Sequence, residues 1–213
     1  MTEMNRRART TPSPCAGPIA RNLARLWLWF FGWRVDSALP PPRAIAISYP
    51  HTTNWDLPFM LAIGYSLGIR PYWLGKREIF RWPFGGFMRW LGGVPVDRKA
   101  RTNMVQQVID RFSQIDRFFL VIPPSATRHR AEHWRSGFYH IARGAGVPML
   151  CTFLDYTRKV GGIGIPVVPT GDVRADMDKI RAFYVGIEGR YPENQTPIYL
   201  PEEDQPMRES GGR

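Results

Sequence analysis

Apolar residues follow two rhythms along the chain. Largely apolar runs at residues 44–48, 118–122 and 148–154, with shorter pieces at 72–74 and 94–96, read as buried strands. Between them the period lengthens to that of a helix: residues 55–67, an aromatic-rich stretch at 80–91, and 102–112 with Met104, Val105, Val108, Ile109 and Phe112 on one side. A further helix over 136–143 closes at Gly144 or Gly146. The last is opened by Asp172, turns Met177, Ile180, Tyr184 and Ile187 inward, and ends at Gly189. Strands separated by helices predict an α/β fold, a mixed and largely parallel sheet flanked by helices.

The ends differ from this pattern. Residues 1–18, with Arg6, Arg7, Arg9 and three prolines, lack an apolar period and read as a disordered basic tail. Residues 19–35 form an amphipathic segment, with Ile19, Leu23, Leu26, Trp27 and Phe30 on one face and Arg21 and Arg25 opposite. Its uninterrupted apolar stretch, 26–33, is far shorter than the roughly 20 residues of a spanning helix. Trp27, Trp29 and Trp33 flanked by arginines fit a helix lying in a membrane interface, while a helix simply packed on the domain would carry the same pattern. Pro40-Pro41-Pro42 breaks the chain within the 36–191 domain, and the proline-punctuated residues 192–213 read as a polar tail.

Composition narrows the partners. At 213 residues and 44% hydrophobic content the chain can bury one sizeable core, and 29 Lys plus Arg against 18 Asp plus Glu give a charge of +11, which favours anionic partners. The tryptophans cluster in helical stretches rather than alternating with basic residues on a sheet, which argues against nucleic acid. Two cysteines, Cys15 and Cys151, make no disulfide framework and point to a reducing compartment. Arg21 and Arg25 interrupt the first apolar segment, so it does not read as a secretory signal. There is no P-loop or dinucleotide-binding glycine pattern, and His129, His133, His140 and Glu132 match no zinc spacing, so neither a cofactor nor a metal is expected.

The chemistry is expected where strands end. After the run 44–48 comes Pro50-His51-Thr52-Thr53-Asn54-Trp55-Asp56, a strand-to-helix turn with Asn54 as the expected N-cap. A carboxylate beside an imidazole fixes its tautomer and stabilises the imidazolium, which makes a general base; a turn histidine beside a capping aspartate would leave the same residues. Two other apolar runs lead into turns ending in arginine, Gly92-Gly93-Val94-Pro95-Val96-Asp97-Arg98 and the 118–122 run followed by Pro123-Pro124-Ser125-Ala126-Thr127-Arg128. Parallel strands open their carboxyl ends on one edge, where such sheets bind ligands, and an arginine there suits a phosphate.

Together these blocks resemble the glycerolipid acyltransferases typified by 1-acylglycerol-3-phosphate acyltransferase. The H-x4-D block is His51 to Asp56. The G-x-x-[FV]-x-x-R block resembles Gly92 to Arg98, with Pro95 at the apolar position. The E-G-T-R block corresponds to Ser125 to Arg128, and a V-P segment to Val147-Pro148. The resemblance covers about residues 44–155. It implies His51 as general base, Asp56 as its orienting carboxylate, and Arg98, Arg128, Thr127 and Ser125 as acceptor-binding residues. Glycine composition suggests the backbone N–H groups near Gly92 and Gly93 as oxyanion donors. The resemblance further implies a lysolipid acceptor, an acyl-CoA or acyl carrier protein donor, no resident cofactor, and a peripheral or monotopic site on the cytoplasmic face of a membrane. Ser125 and Ala126 replace the family's Glu and Gly, which leaves open a catalytically degenerate lipid-binding or scaffold protein of the same fold.

Overall fold

A computed structural model describes residues 16–96 and 101–204. Its centre is a seven-stranded sheet in the order β1-β7-β6-β2-β5-β3-β4. The strands are β1 (Arg34–Val35), β2 (Arg43–Ser48), β3 (Tyr72–Lys76), β4 (Gly93–Val96), β5 (Phe118–Ile122), β6 (Met149–Asp155) and β7 (Val160–Val167). Every neighbouring pair is parallel except β6 with β7, so the sheet is mixed and largely parallel.

The alternation of side chains along the central strands decides what packs where. Ile45 and Ile47, Phe118 and Leu120, and Met149 and Cys151 point to one face, which α4 (Arg101–Gln114), α5 (Gly137–Ala145) and α6 (Val173–Tyr184) cover with Phe112, Phe138, Ile141, Met177 and Ile180. The opposite face presents the smaller Ala44 and Ala46, with Phe119, Val121 and Leu150, and receives α2 (Asp56–Ser66) through Met60. Two alanines on the central strand let this helix approach closely. It is buried on most sides, because α1 (Pro18–Phe30) packs on one flank and α3 (Gly85–Trp90) on the other.

Several elements differ from the pattern reading, each for a physical reason. The aromatic stretch expected as one helix is a 3-10 turn, Arg77–Phe80, followed by α3, with Pro83 between them. Strand β7, VGGIGIPV, carries three glycines that dilute its apolar signal. One of them, Gly162, sits where an added Cβ would lie 1.6 Å from the Asp36 carbonyl oxygen, so the neighbouring chain can pass only a glycine. Helix α6 stops at Tyr184, earlier than Gly189, although Asp172 caps it as expected, accepting the Ala175 N–H at 3.0 Å.

The polar stretch expected as tail from residue 192 packs on the domain as far as Asp204. Leu200 is fully buried in the main core. Arg181 on α6 pairs with the buried Glu203 at 2.9 Å, and the Trp134 backbone N–H donates to the Tyr199 carbonyl at 2.9 Å. Prolines and charges hid a segment whose Ile198 and Leu200 pack into the core. Replacing Leu200 by Ala therefore removes about 2–4 kcal/mol of stability, read as a lowered denaturant midpoint with an unchanged slope; a solvated tail would give no shift.

Candidate active site

Strand β2 ends at Ser48, and the next eight residues form a turn closed by one carboxylate. Asp56, in the first turn of α2, is only 2% exposed. Its Oδ2 accepts the backbone N–H groups of Thr52 at 2.9 Å and Thr53 at 3.0 Å and lies 3.0 Å from His51 Nδ1. The Tyr156 hydroxyl donates to its Oδ1 at 2.8 Å. A buried carboxylate needs such partners, and here the donors come from the turn, the catalytic candidate and a distant strand. Asn54 is exposed and caps nothing; Trp55 stands at the N-cap without a side-chain bond, and Asp56 turns back onto N–H groups that precede the helix.

The carboxylate dictates the imidazole's tautomer. Oδ2 can only accept, so Nδ1 carries the proton and Nε2 is left as a lone-pair acceptor. The His51 side chain is 19% exposed, open enough for a substrate hydroxyl to reach it.

Tyr156 escaped the sequence reading because no local pattern marks it. It follows β6 and reaches Asp56 from 100 residues away. Its ring meets Trp33 edge-on at 5.0 Å, and Trp33 in turn stacks on Phe59 of α2 at 4.6 Å. Trp33, which the sequence placed with the interfacial aromatics, is thus a buried strut of the site. Burial holds the Tyr156 phenol well above its ordinary pKa, the Asp56 charge and hydrogen bond add to the shift, and the positive charge of Arg190 opposes it. The phenol therefore remains a proton donor to Asp56 at any physiological pH.

A second missed contribution comes from the segment after α6. The Tyr156 N–H donates to the Glu188 carbonyl at 2.9 Å, and the Tyr191 N–H to Thr52 Oγ1 at 3.2 Å, so residues 188–191 bridge the β6 end and the histidine turn. Thr196 then ties the same turn to the loop after β5: its carbonyl accepts the Tyr49 hydroxyl at 3.2 Å and its Oγ1 accepts the Ala131 N–H at 3.0 Å.

The other expected residues divide into two groups. Strand β5 is the parallel neighbour of β2, with Ile47 opposite Ile122, so Ser125, Thr127 and Arg128 leave the sheet on the histidine's edge, one strand away. Ser125 is buried and donates from Oγ to the Thr127 carbonyl at 2.8 Å, while Arg128 is exposed. Gly92 and Gly93 are not brought to that edge. Gly93 is level with Trp73, Trp73 with Val121 and Val121 with Ala46, which puts it at mid-strand height, three strands from β2. Both glycines are buried, Gly92 at a φ of 88° against the Pro71 carbonyl and Gly93 against Phe80, so their smallness serves packing. Arg98 lies outside the described residues; the strand it follows ends three spacings, about 14 Å, from β2.

Cys151 faces the core, and burial pushes its thiol up to about 12, so it stays protonated and is no nucleophile. Among the described residues no group of three or more His, Cys, Asp or Glu could hold a metal ion.

A family model for acyltransferases matches residues 35–170. The chain belongs to the acyltransferase family. That match runs from the end of β1 through β7 and contains His51, Asp56, Ser125, Arg128 and Tyr156. Over 146 residues the chain is 32% identical to a 1-acyl-sn-glycerol-3-phosphate acyltransferase of Haemophilus influenzae, covering 63% of this chain and 58% of that protein. The family fold is also seen in the crystal structure of the 1-acyl-sn-glycerophosphate (LPA) acyltransferase PlsC from Thermotoga maritima, which superposes with a TM-score of 0.55 at 15% identity, covering 81% of this chain and 80% of that one.

Ala126 occupies the glycine position of the family's E-G-T-R block and has a φ of 55°. A Cβ in the left-handed region costs about 1–2 kcal/mol. The Ala126→Gly variant is accordingly more stable by about 1 kcal/mol in chemical denaturation.

Proposed function

We propose that the chain transfers a fatty acyl group from an acyl thioester, acyl-CoA or acyl carrier protein, to a hydroxyl of a lysophospholipid or related glycerolipid. The observation that carries this reading is the His51 Nδ1 to Asp56 Oδ2 contact of 3.0 Å on a carboxylate held by three further donors. Family membership and the likeness to two acyltransferases acting on 1-acylglycerol phosphate support it.

In this mechanism His51 Nε2 takes the proton of the acceptor hydroxyl as its oxygen attacks the thioester carbonyl. Asp56 stabilises the resulting imidazolium. The tetrahedral intermediate collapses, the C–S bond breaks, and the imidazolium returns its proton to the departing thiolate. No acyl-enzyme forms. Arg128, on the turn beside the histidine, would bind the acceptor phosphate, with Thr127 and Ser125 shaping that turn, and Arg98 would add a more distant positive charge.

The acceptor's location follows from the first helix. Ile19, Leu23, Leu26 and Phe30 are 76%, 61%, 58% and 74% exposed, while α1 packs on α2 through Ala24 and Leu28. The two readings are compatible, since the helix is docked on the domain by a narrow strip and turns its wide apolar face outward. No described helix is long and apolar enough to cross a membrane. We read α1 as lying in a bilayer interface, the protein being peripheral or monotopic on the cytoplasmic face.

The catalytically degenerate alternative draws on Ser125 and on the strained Ala126. It requires that the unmodified chain acylate no lysolipid.

Two variants test the chemistry. His51→Ala lowers acyl-CoA-dependent acylation of a lysolipid by about 10²- to 10⁴-fold, followed by mass spectrometry of the product, with the circular dichroism unchanged. Equal turnover in that variant removes the mechanism. Tyr156→Phe, which deletes only the donor to Asp56 Oδ1, lowers kcat about tenfold with little change in the lysolipid KM.

A further inference from the structure

The helices on the α2 side of the sheet expose aromatic residues at a second place. From the end of the 3-10 turn through α3, Trp82 is 93% exposed, Phe84 65%, Trp90 62% and Phe87 53%. Phe87 and Trp90 stack on one another at 5.9 Å. Single exposed apolar residues are ordinary, but four aromatics within nine residues form a patch.

Folding does not require these rings outside. The segment is fastened from its inner side, where Phe80, Met88 and Leu91 pack with Leu61 and Trp73. The Arg70 guanidinium bonds to the carbonyls of Arg89 and Trp90 at 3.2 and 2.6 Å, which closes the end of α3. The exposed aromatics therefore face away from a segment that is packed and hydrogen-bonded from within.

Charge identifies the occupant. Arg77, Arg81 and Arg89 are exposed on the same stretch, where Glu78 is the one acidic residue, and the chain as a whole carries +11. Tryptophan and phenylalanine among arginines suit a bilayer interface, rings at the headgroup and acyl boundary and guanidinium groups on phosphates. Position agrees, because α1 and α3 flank the same helix: Phe59, Ala62 and Ile63 of α2 meet α1, and Leu57, Met60 and Leu61 meet the α3 side.

We propose that the Arg77–Trp90 segment is a second membrane-docking surface for an anionic bilayer, independent of α1, so that lipid is engaged on both flanks of α2. The inference extends the bilayer reading of α1 and depends on it. Its consequence is orientational: one helix can roll on a surface, whereas two contacts flanking α2 set the height and tilt of the turn bearing His51 and Asp56.

The test is flotation of the full chain with phosphatidylcholine vesicles containing phosphatidylglycerol. Wild type is compared with a Trp82→Ser, Phe84→Ser, Trp90→Ser triple variant and a Leu23→Ser, Phe30→Ser double variant. A single Trp82→Ser and an Arg81→Glu variant guard against misfolding of the triple, and circular dichroism and gel filtration accompany each. Partitioning falls at least about tenfold in the triple variant and in the α1 variant separately, falls measurably in the single variants, and weakens for wild type on pure phosphatidylcholine. A triple variant that floats like wild type while the α1 variant does not overturns the second surface alone. So does a triple variant that instead turns from dimer to monomer on gel filtration with flotation unchanged, since the patch would then join two copies. Wild type that fails to float overturns the bilayer reading as well, and leaves the His51 result to judge the chemistry by itself.

Discussion

The rest of the site depends on the burial of one charge. Asp56 is removed from water beside the sheet edge, and a lone carboxylate there would be costly. It persists because two backbone N–H groups, an imidazole and a phenol converge on its two oxygens. The same bonds that make the charge tolerable set the tautomer of His51. Structure and chemistry are one arrangement here: the aspartate that closes the turn is what positions the His51 ring.

That arrangement extends well beyond the turn. Tyr156 is braced by Trp33, which follows α1, and its backbone is held by Glu188 after α6. Thr52 and Tyr49 are bound to residues 191–196, and those to the loop that leads from Arg128. The first helix and the segment after α6 therefore both support the turn that holds His51 and Asp56. A shift of α1 would be felt at Asp56 through the Trp33–Tyr156 ring contact and the Tyr156 hydroxyl.

The two faces of the sheet divide the labour. Large side chains on one face build the main core under α4, α5 and α6. On the other face the small Ala44 and Ala46 admit α2, and the helices around it expose aromatic and basic residues. The turn with His51 and Asp56 lies at the junction, at the end of the strand that contributes to both cores.

Periodicity in the chain determined the alternation of strands and helices, because burial on both faces demands unbroken apolar runs and burial on one face demands the helical period. Local spacing also determined that His51 and Asp56 meet, since five residues on a strand-to-helix turn leave them little choice. What lies between strands was not legible. Gly92 and Gly93 belong to a motif in sequence but stand at mid-strand height, because register, not order along the chain, sets which residues share an edge. Tyr156, Trp33 and Thr196 join the site only through contacts between segments tens of residues apart, and no local pattern records such contacts. The inward turn of Leu200 and the outward turn of Trp82 were likewise settled by packing, for whether an apolar side chain is buried depends on which neighbour reaches it first.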